Sequence, residues 1–494
     1  MNNNKNNNIL YNRPKFSILS DIQIEKLHLA TLQILEKTGV AIDAPEAIDI
    51  LGQAGANISD TNRVKIPSFL VEQALKTAPK SITLYTQDGE PAIVANGHTG
   101  AHFSAVVDFP DLLDPYTGKI RKTYVEDIAD TSRLIDALPN MEWGFTTSNK
   151  ALPPSLCNEV ALLQFVLNCS KPIFVCAIGD VESLRRMIDI CTIIAGGEEQ
   201  LRKKPFFGGS VEPVSPLTHC RDGLEKSLLC AEKGIPVAVY GMPIAGVTAP
   251  CSLPSPIVIA NAEILSQLVI LQLKNPGTPV IVGAIPTIMD MRSTVVSYGN
   301  PEMSVMLGAL TELCHYYELP VFGTAGATDA ATIGVQAAVE TTYQIIISAL
   351  TGADFVHDPG LFYNATTLSQ ELIVLCDEVI DMVKVLIRGM EINDETLPLE
   401  IIERVGPRNS YIAEQHTYRH FSEIWLPKLF DRSSKKKDNA KRCEDLIKER
   451  TIELIKTHKP KPMSEDLVRE LKKIEKSWFD NGGIKYEYPT RPEI

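Results

Sequence analysis

Pro172-Ile-Phe-Val-Cys176 joins a proline to a short apolar run, and the chain repeats this arrangement four more times. Proline lacks a backbone N–H and disfavours helix in the residue before it, so it ends a helix and suits the first position of a strand. Each run therefore predicts a buried strand. The other four runs are Pro205-Phe-Phe-Gly-Gly209, Pro236-Val-Ala-Val-Tyr240, Pro279-Val-Ile-Val-Gly283 and Pro320-Val-Phe-Gly-Thr324.

Three more apolar runs keep the same spacing, at residues 102–107 and 141–147 upstream and at residues 353–357 downstream. Eight strands separated by helix-length segments are what a closed parallel barrel requires. The sequence therefore predicts an α/β protein built on a (β/α)8 TIM-type barrel.

The segments that follow these runs are polar or rich in glycine, whereas the runs themselves are apolar. Barrels of this type carry their chemistry at the C-terminal ends of their strands. We therefore expect the functional residues among the predicted strand ends, which are Ser104, residues 146–149, 179–180, 210–212, 240–242, 290–292 and 328–329, and His357-Asp358.

The chain is longer than a bare barrel: it has 494 residues, and a barrel needs about 250. We predict a disordered tail (residues 1–15), a small N-terminal α/β cap (16–98), the barrel (99–385) and a mostly helical C-terminal extension (386–494). Ser20, with Gln23 three positions later, predicts a capping box at the first helix of the cap.

Composition excludes several classes of function. The net charge of −13 argues against a general nucleic-acid binder and is compatible with a cationic substrate. The N-terminus has no apolar signal region, and no stretch of about 18 apolar residues predicts a membrane span. The basic run at residues 432–442 predicts a solvated loop rather than an anion or partner site.

The ten cysteines form no C-x-x-C pair and lie mostly in apolar segments. In a chain of this length they indicate reduced thiols and a cytoplasmic protein rather than a disulfide framework. No His/Cys spacing matches a zinc site, so we predict that this chain binds no metal. Phosphate-binding and nucleophile-elbow motifs are also absent from the sequence.

The stretch from Gly323 to Glu340 runs from a predicted strand end through small residues into a helix. Gln336 and Glu340 lie four apart and therefore share a helix face. Small residues at a barrel mouth would let a bulky planar ligand approach the backbone. A tight strand-to-helix turn with solvent-facing Gln336 and Glu340 explains the same pattern equally well.

At this point the sequence resembles the trimethylamine methyltransferase family of corrinoid-dependent methyltransferases. The resemblance extends over about residues 16–432 and rests on segments in the cap, the barrel and the extension. These are Leu19-Ser-Asp21, Leu35-Glu-Lys-Thr-Gly39, Gly208-Gly-Ser-Val-Glu212-Pro, residues 283–292, 323–340 and 352–358, Glu414-Gln-His416-Thr-Tyr-Arg-His420, Trp425-Leu-Pro427 and Asp431-Arg432.

Trimethylamine-specific members of the family carry a pyrrolysine near the segment that corresponds to Asp329-Ala330-Ala331, where this chain has ordinary alanines. The resemblance therefore implies the non-pyrrolysine branch, which demethylates quaternary amines in one-carbon metabolism, methanogenesis included. Glycine betaine is the leading substrate, and proline betaine, carnitine and γ-butyrobetaine are alternatives. The chain has no D-x-H-x-x-G cobalamin pattern, so the resemblance also implies a corrinoid carried by a separate small protein.

A quaternary ammonium is best held by aromatic faces. Candidate aromatics near predicted strand ends are Phe103, Trp143, Phe145, Phe207, Tyr240, Phe355 and Phe362. We predict that Trp143 and Tyr240, together with Phe103 and Phe362, bind the substrate. Taken singly, an aromatic residue of a barrel lies in the core more often than in a substrate cage.

The remaining predicted site residues are charged or lie near Gly323–Glu340. Glu212 would complement the ammonium, and Arg292 would bind a substrate carboxylate unless it pairs with Asp290 or Glu302. His357 and Asp329 are the predicted catalytic residues. We predict that the corrinoid faces Gly326, Gln336 and Glu340.

Two other functions stay open. One is a non-catalytic betaine-binding or regulatory protein on the same scaffold, favoured by the missing pyrrolysine and by Gly334, where the family pattern has aspartate. The other is a barrel enzyme that acts on another small cationic metabolite, since fold alone does not determine function. Barrel enzymes commonly associate, so we also expect a homo-oligomer.

Overall fold

The computed structural model describes residue 14 and residues 16–60, 62–176, 179–432 and 441–491. The tail predicted at residues 1–15 lies outside these residues except for residue 14, and of the basic run at residues 432–442 only residues 432, 441 and 442 are described. Within them the chain forms a closed barrel of eight parallel strands, so the predicted fold is confirmed.

A small α/β cap precedes the barrel. Ser20 and Gln23 exchange the two hydrogen bonds of a capping box at the start of its first helix, as the sequence predicts. A π-helical turn, Ile34–Thr38, follows that helix. The cap contains helices α1 (Asp21–Gln33), α2 (Pro45–Gln53) and α3 (Ser68–Thr77) and strands β1 (Ala41–Ile42), β2 (Asn57–Asp60), β3 (Arg63–Lys65), β4 (Ile82–Tyr85) and β5 (Pro91–Ala95).

The eight barrel strands coincide with the eight predicted apolar runs. They are β6 (His102–Val106), β9 (Trp143–Thr146), β10 (Ile173–Cys176), β11 (Phe207–Val211), β13 (Val237–Gly241), β15 (Val280–Ala284), β18 (Val321–Thr324) and β19 (Phe355–His357). Short strands between and after them are β7 (Asp111–Leu113), β8 (Ile120–Lys122), β12 (Thr218–His219), β14 (Ile244–Ala245), β16 (Thr287–Asp290), β17 (Val295–Ser297), β20 (Leu361–Phe362) and β21 (Thr367–Ser369).

Helices surround the barrel and continue into the C-terminal extension. Those from the barrel are α4 (Val125–Ala137), α5 (Cys157–Asn168), α6 (Val181–Ala195), α7 (Glu198–Lys203), α8 (Arg221–Lys233), α9 (Pro254–Lys274), α10 (Pro301–Tyr316), α11 (Val335–Thr351) and α12 (Gln370–Arg388). The extension contains α13 (Leu399–Val405), α14 (Gln415–His420), a 3-10 turn (Phe421–Glu423), α15 (Cys443–Thr457) and α16 (Glu465–Asn481).

Helix α9 is apolar because it lies inside the protein. It is the one described helix long and apolar enough to cross a membrane, and 83% of its most apolar window is buried. It packs against the cap helices α1 and α3 and against β13 and β15.

Two small sheets are formed by segments that follow the C-terminal ends of barrel strands. One joins β14, β16 and β17, and the other joins β20, β21, β7 and β8. The prediction that residues 290–292 end a barrel strand is therefore wrong, because β15 ends at Ala284 and Asp290 ends β16. The apolar pattern continues through both strands, and Pro286 between them marks the interruption. Residues 328–329 likewise lie beyond the end of β18 at Thr324.

The C-terminal extension is tied to the barrel through α12. The Trp425 indole N–H donates to the Asp381 carboxylate (3.0 Å), and the Lys428 backbone N–H donates to Glu378 (2.8 Å). Within the extension, His416 and His420 both bond Glu395, through its backbone carbonyl and its carboxylate respectively. These histidines therefore order the extension itself.

Candidate active site

A cavity of about 390 Å³ lies at the C-terminal ends of the barrel strands. Its volume is in the range of small-molecule sites, and its position is where barrel enzymes place their chemistry. Strand-end residues that line it are Phe145, Thr147, Cys176, Ser210, Val211, Glu212, Tyr240, His357 and Asp358. Three of the predicted site residues, Glu212, Tyr240 and His357, therefore meet at one cavity.

The cavity walls are rich in aromatic side chains. Phe109, Phe145, Tyr240 and Tyr298 all line it. Tyr298 was missed by the sequence analysis because it follows β17, outside the barrel strands. Its hydroxyl donates to the Met242 sulfur, at an O–S distance of 3.6 Å. Aromatic faces of this kind attract organic cations.

His357 lies at the cavity floor within an aromatic cluster. Its ring stacks on Phe322, with centroids 4.6 Å apart, and lies 5.1 Å from the Phe145 ring. Tyr240 also stacks on Phe322, at 4.8 Å. Packing on three sides fixes the imidazole plane.

A chain of hydrogen bonds orients His357. Its Nδ1 lies 2.6 Å from the Asp358 carboxylate, and the Thr324 hydroxyl donates to the other oxygen of that carboxylate. A carboxylate only accepts, so Nδ1 carries the proton. The opposite nitrogen, Nε2, is buried and has no partner among the described residues. Nε2 is thus the nitrogen that can bond a ligand.

Asp358 itself adopts a strained backbone conformation, with φ of 87°. Such conformations cost free energy in residues other than glycine and cluster at functional sites. Here the strain places the carboxylate against Nδ1 of the preceding residue.

Glu212 supplies negative charge to the cavity. Its carboxylate interacts with the Tyr240 hydroxyl, and its exposed side chain lines the cavity. Desolvation by the surrounding protein raises the pKa of Glu212, while Tyr240 and His357 oppose that rise. Glu212 therefore loses its charge at a higher pH than an ordinary glutamate does.

An ion pair lies at another wall of the cavity. The Lys226 ammonium is 2.6 Å from the Asp222 carboxylate, and both residues line the cavity from α8. Sequence reasoning missed them because it searched strand ends, whereas these residues lie in a helix with the pattern of a surface ion pair.

Asp329 and Glu340 brace the segment that was predicted to be catalytic or to face the corrinoid. The Asp329 carboxylate accepts from the Ser297 hydroxyl and from the Tyr298 backbone N–H (2.8 Å). Glu340 accepts from the Asp329 backbone N–H (2.9 Å). Neither carboxylate lines the cavity, but together they position Tyr298, which does.

Gly326 and Gln336 also lie outside the cavity wall. Gly326 is buried with φ of 88°, and a Cβ there would approach Pro359 to 3.1 Å, so the turn requires glycine. Gln336 is exposed on α11 and donates to Glu340 at 2.8 Å. The stretch therefore forms a tight strand-to-helix turn.

The other predicted substrate-binding residues do not line the cavity. Trp143 is fully buried, its indole N–H donates to the His102 carbonyl (2.9 Å), and its ring touches those of Phe145 and Phe322. Phe103 and Phe362 are also buried in the core. Arg292 is exposed between β16 and β17, where its backbone N–H donates to Asp290.

The arrangement suits binding and positioning more than covalent catalysis. Burial raises the pKa of the Cys176 thiol to about 12, so this cavity cysteine stays protonated and is a poor nucleophile. What remains is an aromatic, acidic pocket with one oriented imidazole at its floor. Such a pocket can hold a small organic cation.

Comparisons with known proteins identify the family of this chain. The family model for trimethylamine methyltransferase (MTTB) matches residues 1–477. The trimethylamine methyltransferase MttB of Desulfitobacterium hafniense is 30% identical over 94% of this chain and 94% of its own. The glycine betaine methyltransferase of the same species is 29% identical over 85% of this chain and 88% of its own.

Among solved structures, the monomethylamine methyltransferase MtmB of Methanosarcina barkeri superposes with a TM-score of 0.50. The alignment covers 95% of this chain and 89% of that one at 11% identity, so it supports the fold. The family model matches nearly the whole length of the chain, so it shows the family as well as the fold. This chain therefore belongs to the trimethylamine methyltransferase family of methyltransferases.

Proposed function

We propose that this enzyme moves a methyl group from a quaternary amine to the Co(I) corrinoid of a separate small protein. Glycine betaine is the leading substrate, with proline betaine, carnitine and γ-butyrobetaine as alternatives. The observation that carries the proposal is the aromatic, acidic cavity of about 390 Å³ at the barrel mouth of a chain from this family. The relative named for glycine betaine supports the substrate class.

The charge of the substrate explains why the cavity needs no strong acid. When the C–N bond of a quaternary ammonium breaks, its electron pair stays on nitrogen and a neutral tertiary amine leaves without a proton. The residues of this chain therefore act by holding and aligning the substrate. Glu212 and the aromatic walls hold the ammonium, and alignment must bring one methyl within about 3–3.5 Å of the nucleophile.

The corrinoid is the methyl acceptor in the proposed reaction. A cavity of about 390 Å³ suits a small amine at the floor and leaves the acceptor to approach from the open side. In this proposal the acceptor protein reaches the surface of the segment that carries Gln336 and Glu340, and buried Gly326 sets the turn that leads into it. His357, at the floor, presents its unprotonated Nε2 to the electron-poor methyl groups of the ammonium, which has no N–H to donate, and Asp329 acts through the Tyr298 wall.

Trp143, Phe103 and Phe362 lie behind that wall and support its shape in this proposal. All ten cysteines are unpaired, which supports a reducing, cytoplasmic location.

The proposal is tested by offering each substrate separately to the purified enzyme with photoreduced Co(I) cobalamin, and again with a corrinoid protein. We expect loss of the Co(I) absorption and growth of methyl-Co(III) with glycine betaine or another quaternary amine. Conversion with trimethylamine alone would contradict the proposal. So would tight betaine binding without conversion in either assay, which would favour the non-catalytic binding protein.

A homo-oligomer is supported by exposed apolar side chains in the C-terminal extension. Ile412 is 84% exposed, and the other strongly exposed members are Met390, Ile392, Leu399, Tyr418 and Leu426. Large exposed apolar surfaces are typical of interfaces between protein chains. We expect sedimentation velocity to show more than one chain per particle, and Leu399→Ser with Ile412→Ser to shift it to a smaller species. A monomeric wild-type protein would contradict this prediction.

A further inference from the structure

Charged side chains of both signs line the cavity, so it suits a ligand that carries both a positive and a negative group. Glu212, Asp222 and Asp358 contribute carboxylates, and Lys226 contributes the one lysine or arginine among the described lining residues. Carboxylates and aromatic rings are sufficient for an organic cation. A lysine in the same cavity would repel that cation, unless the ligand also carries a negative group.

Lys226 is placed to meet such a group. Its side chain is only 5% exposed, so the ammonium is held at the cavity wall and is not spread into solvent. Its partner Asp222 is 54% exposed and is therefore well solvated without the lysine. An ammonium has three N–H donors, so it can hold Asp222 and a ligand carboxylate together.

We propose that Lys226 is the carboxylate-binding residue of the cavity and selects zwitterionic substrates that carry both a quaternary ammonium and a carboxylate. This inference rests on the proposed function and narrows its substrate class to betaines. The ligand ammonium lies against Glu212 and the aromatic walls, and its carboxylate lies against Lys226. Arg292, exposed on the β16–β17 turn, is the competing candidate for the same role.

The test measures binding by calorimetry with two probes, glycine betaine and choline, which share the trimethylammonium group and differ in the carboxylate. We expect Lys226→Met to weaken glycine betaine binding about tenfold to a hundredfold, as for a lost charge-assisted hydrogen bond. Choline binding should not weaken, because Lys226 repels a cation that carries no carboxylate. The matched control is Lys233→Met, on the same helix but paired with Glu198 at the surface, which should change neither.

The outcomes separate this inference from the proposed function. If Lys226→Met weakened the binding of both probes equally, or left the binding of both unchanged, the role of Lys226 would be overturned. The proposed function would still stand if the wild type transferred methyl groups. Selective loss with Arg292→Ala instead would assign the carboxylate to Arg292. If the wild type bound neither probe and methylated no corrinoid, the proposed function itself would fail.

Two further variants keep the test decisive if Lys226→Met does not fold, as judged by circular dichroism and melting temperature. Lys226→Arg keeps the charge and should retain the preference for glycine betaine over choline. Asp222→Asn removes the competing carboxylate, so it should tighten glycine betaine binding at least twofold and weaken the binding of choline, which the unpaired Lys226 repels. Weaker or unchanged glycine betaine binding by Asp222→Asn would count against the proposal.

Discussion

Glu212→Gln is expected to weaken binding of a quaternary ammonium ligand about thirtyfold. A carboxylate about 5 Å from a cation contributes about 3 kcal/mol at an effective dielectric constant of about 20, and solvent contact reduces this to about 2 kcal/mol. Glutamine keeps an acceptor for the Tyr240 hydroxyl, so the cavity shape is retained. Calorimetry with choline or tetramethylammonium measures the effect, because neither ligand titrates in the working range.

The same variant has a signature in pH. Desolvation raises the pKa of Glu212, so the wild-type carboxylate loses its charge as the pH falls through that raised value. Wild-type affinity should therefore decrease on acidification, and the affinity of Glu212→Gln should decrease less. His357 is present in both proteins, so the difference between their pH profiles is assigned to Glu212.

A matched control is available on α8. Glu225 pairs with Arg221 at the surface, so Glu225→Gln should leave affinity and pH profile unchanged. Identical affinity of Glu212→Gln and wild type at neutral pH would remove Glu212 from the cation site.

The second large effect is expected at His357. His357→Ala should lower the rate of methyl transfer at least tenfold, which corresponds to about 1.4 kcal/mol of transition-state stabilisation. The imidazole is held by Asp358 and stacked on Phe322, so its Nε2 is fixed at the cavity floor. Single-turnover spectra of Co(I) consumption measure the rate, and calorimetry measures binding of choline, which should change less than the rate.

Asp358→Asn examines how His357 is positioned. An asparagine can present its amide N–H to Nδ1, which would favour the other tautomer, so we expect an intermediate loss of rate. The control is His98→Ala, since His98 is exposed before β6, at the N-terminal end of the barrel. Wild-type turnover by His357→Ala would contradict a role for this imidazole in catalysis.

The sequence predicts the barrel well because the barrel depends on a repeated local pattern. Proline followed by β-branched and aromatic residues specifies a buried parallel strand without knowledge of its neighbours. The strand ends then place Glu212, Tyr240 and His357 at one mouth by topology alone.

The strand pattern does not predict which residues of helices and loops reach the cavity. Lys226 reaches the cavity from a helix, and Tyr298 reaches it because Asp329 holds its backbone from another loop. The sequence does not show how deep in the barrel an aromatic side chain lies. Trp143 in the packed interior and Tyr240 at the cavity therefore look alike in the sequence. Asp290 and Arg292 follow an apolar pattern that extends past the true strand end at Ala284.

The most direct test of the central claim follows the methyl carbon itself. Glycine betaine labelled with ¹³C in its N-methyl groups is incubated with the enzyme, a corrinoid protein and a reductant that generates Co(I). The proposed function predicts one labelled methyl on cobalt for each dimethylglycine formed, and formation of both products at least tenfold more slowly with His357→Ala. Bound glycine betaine with no labelled methyl on cobalt would contradict the account and leave this chain a betaine-binding protein.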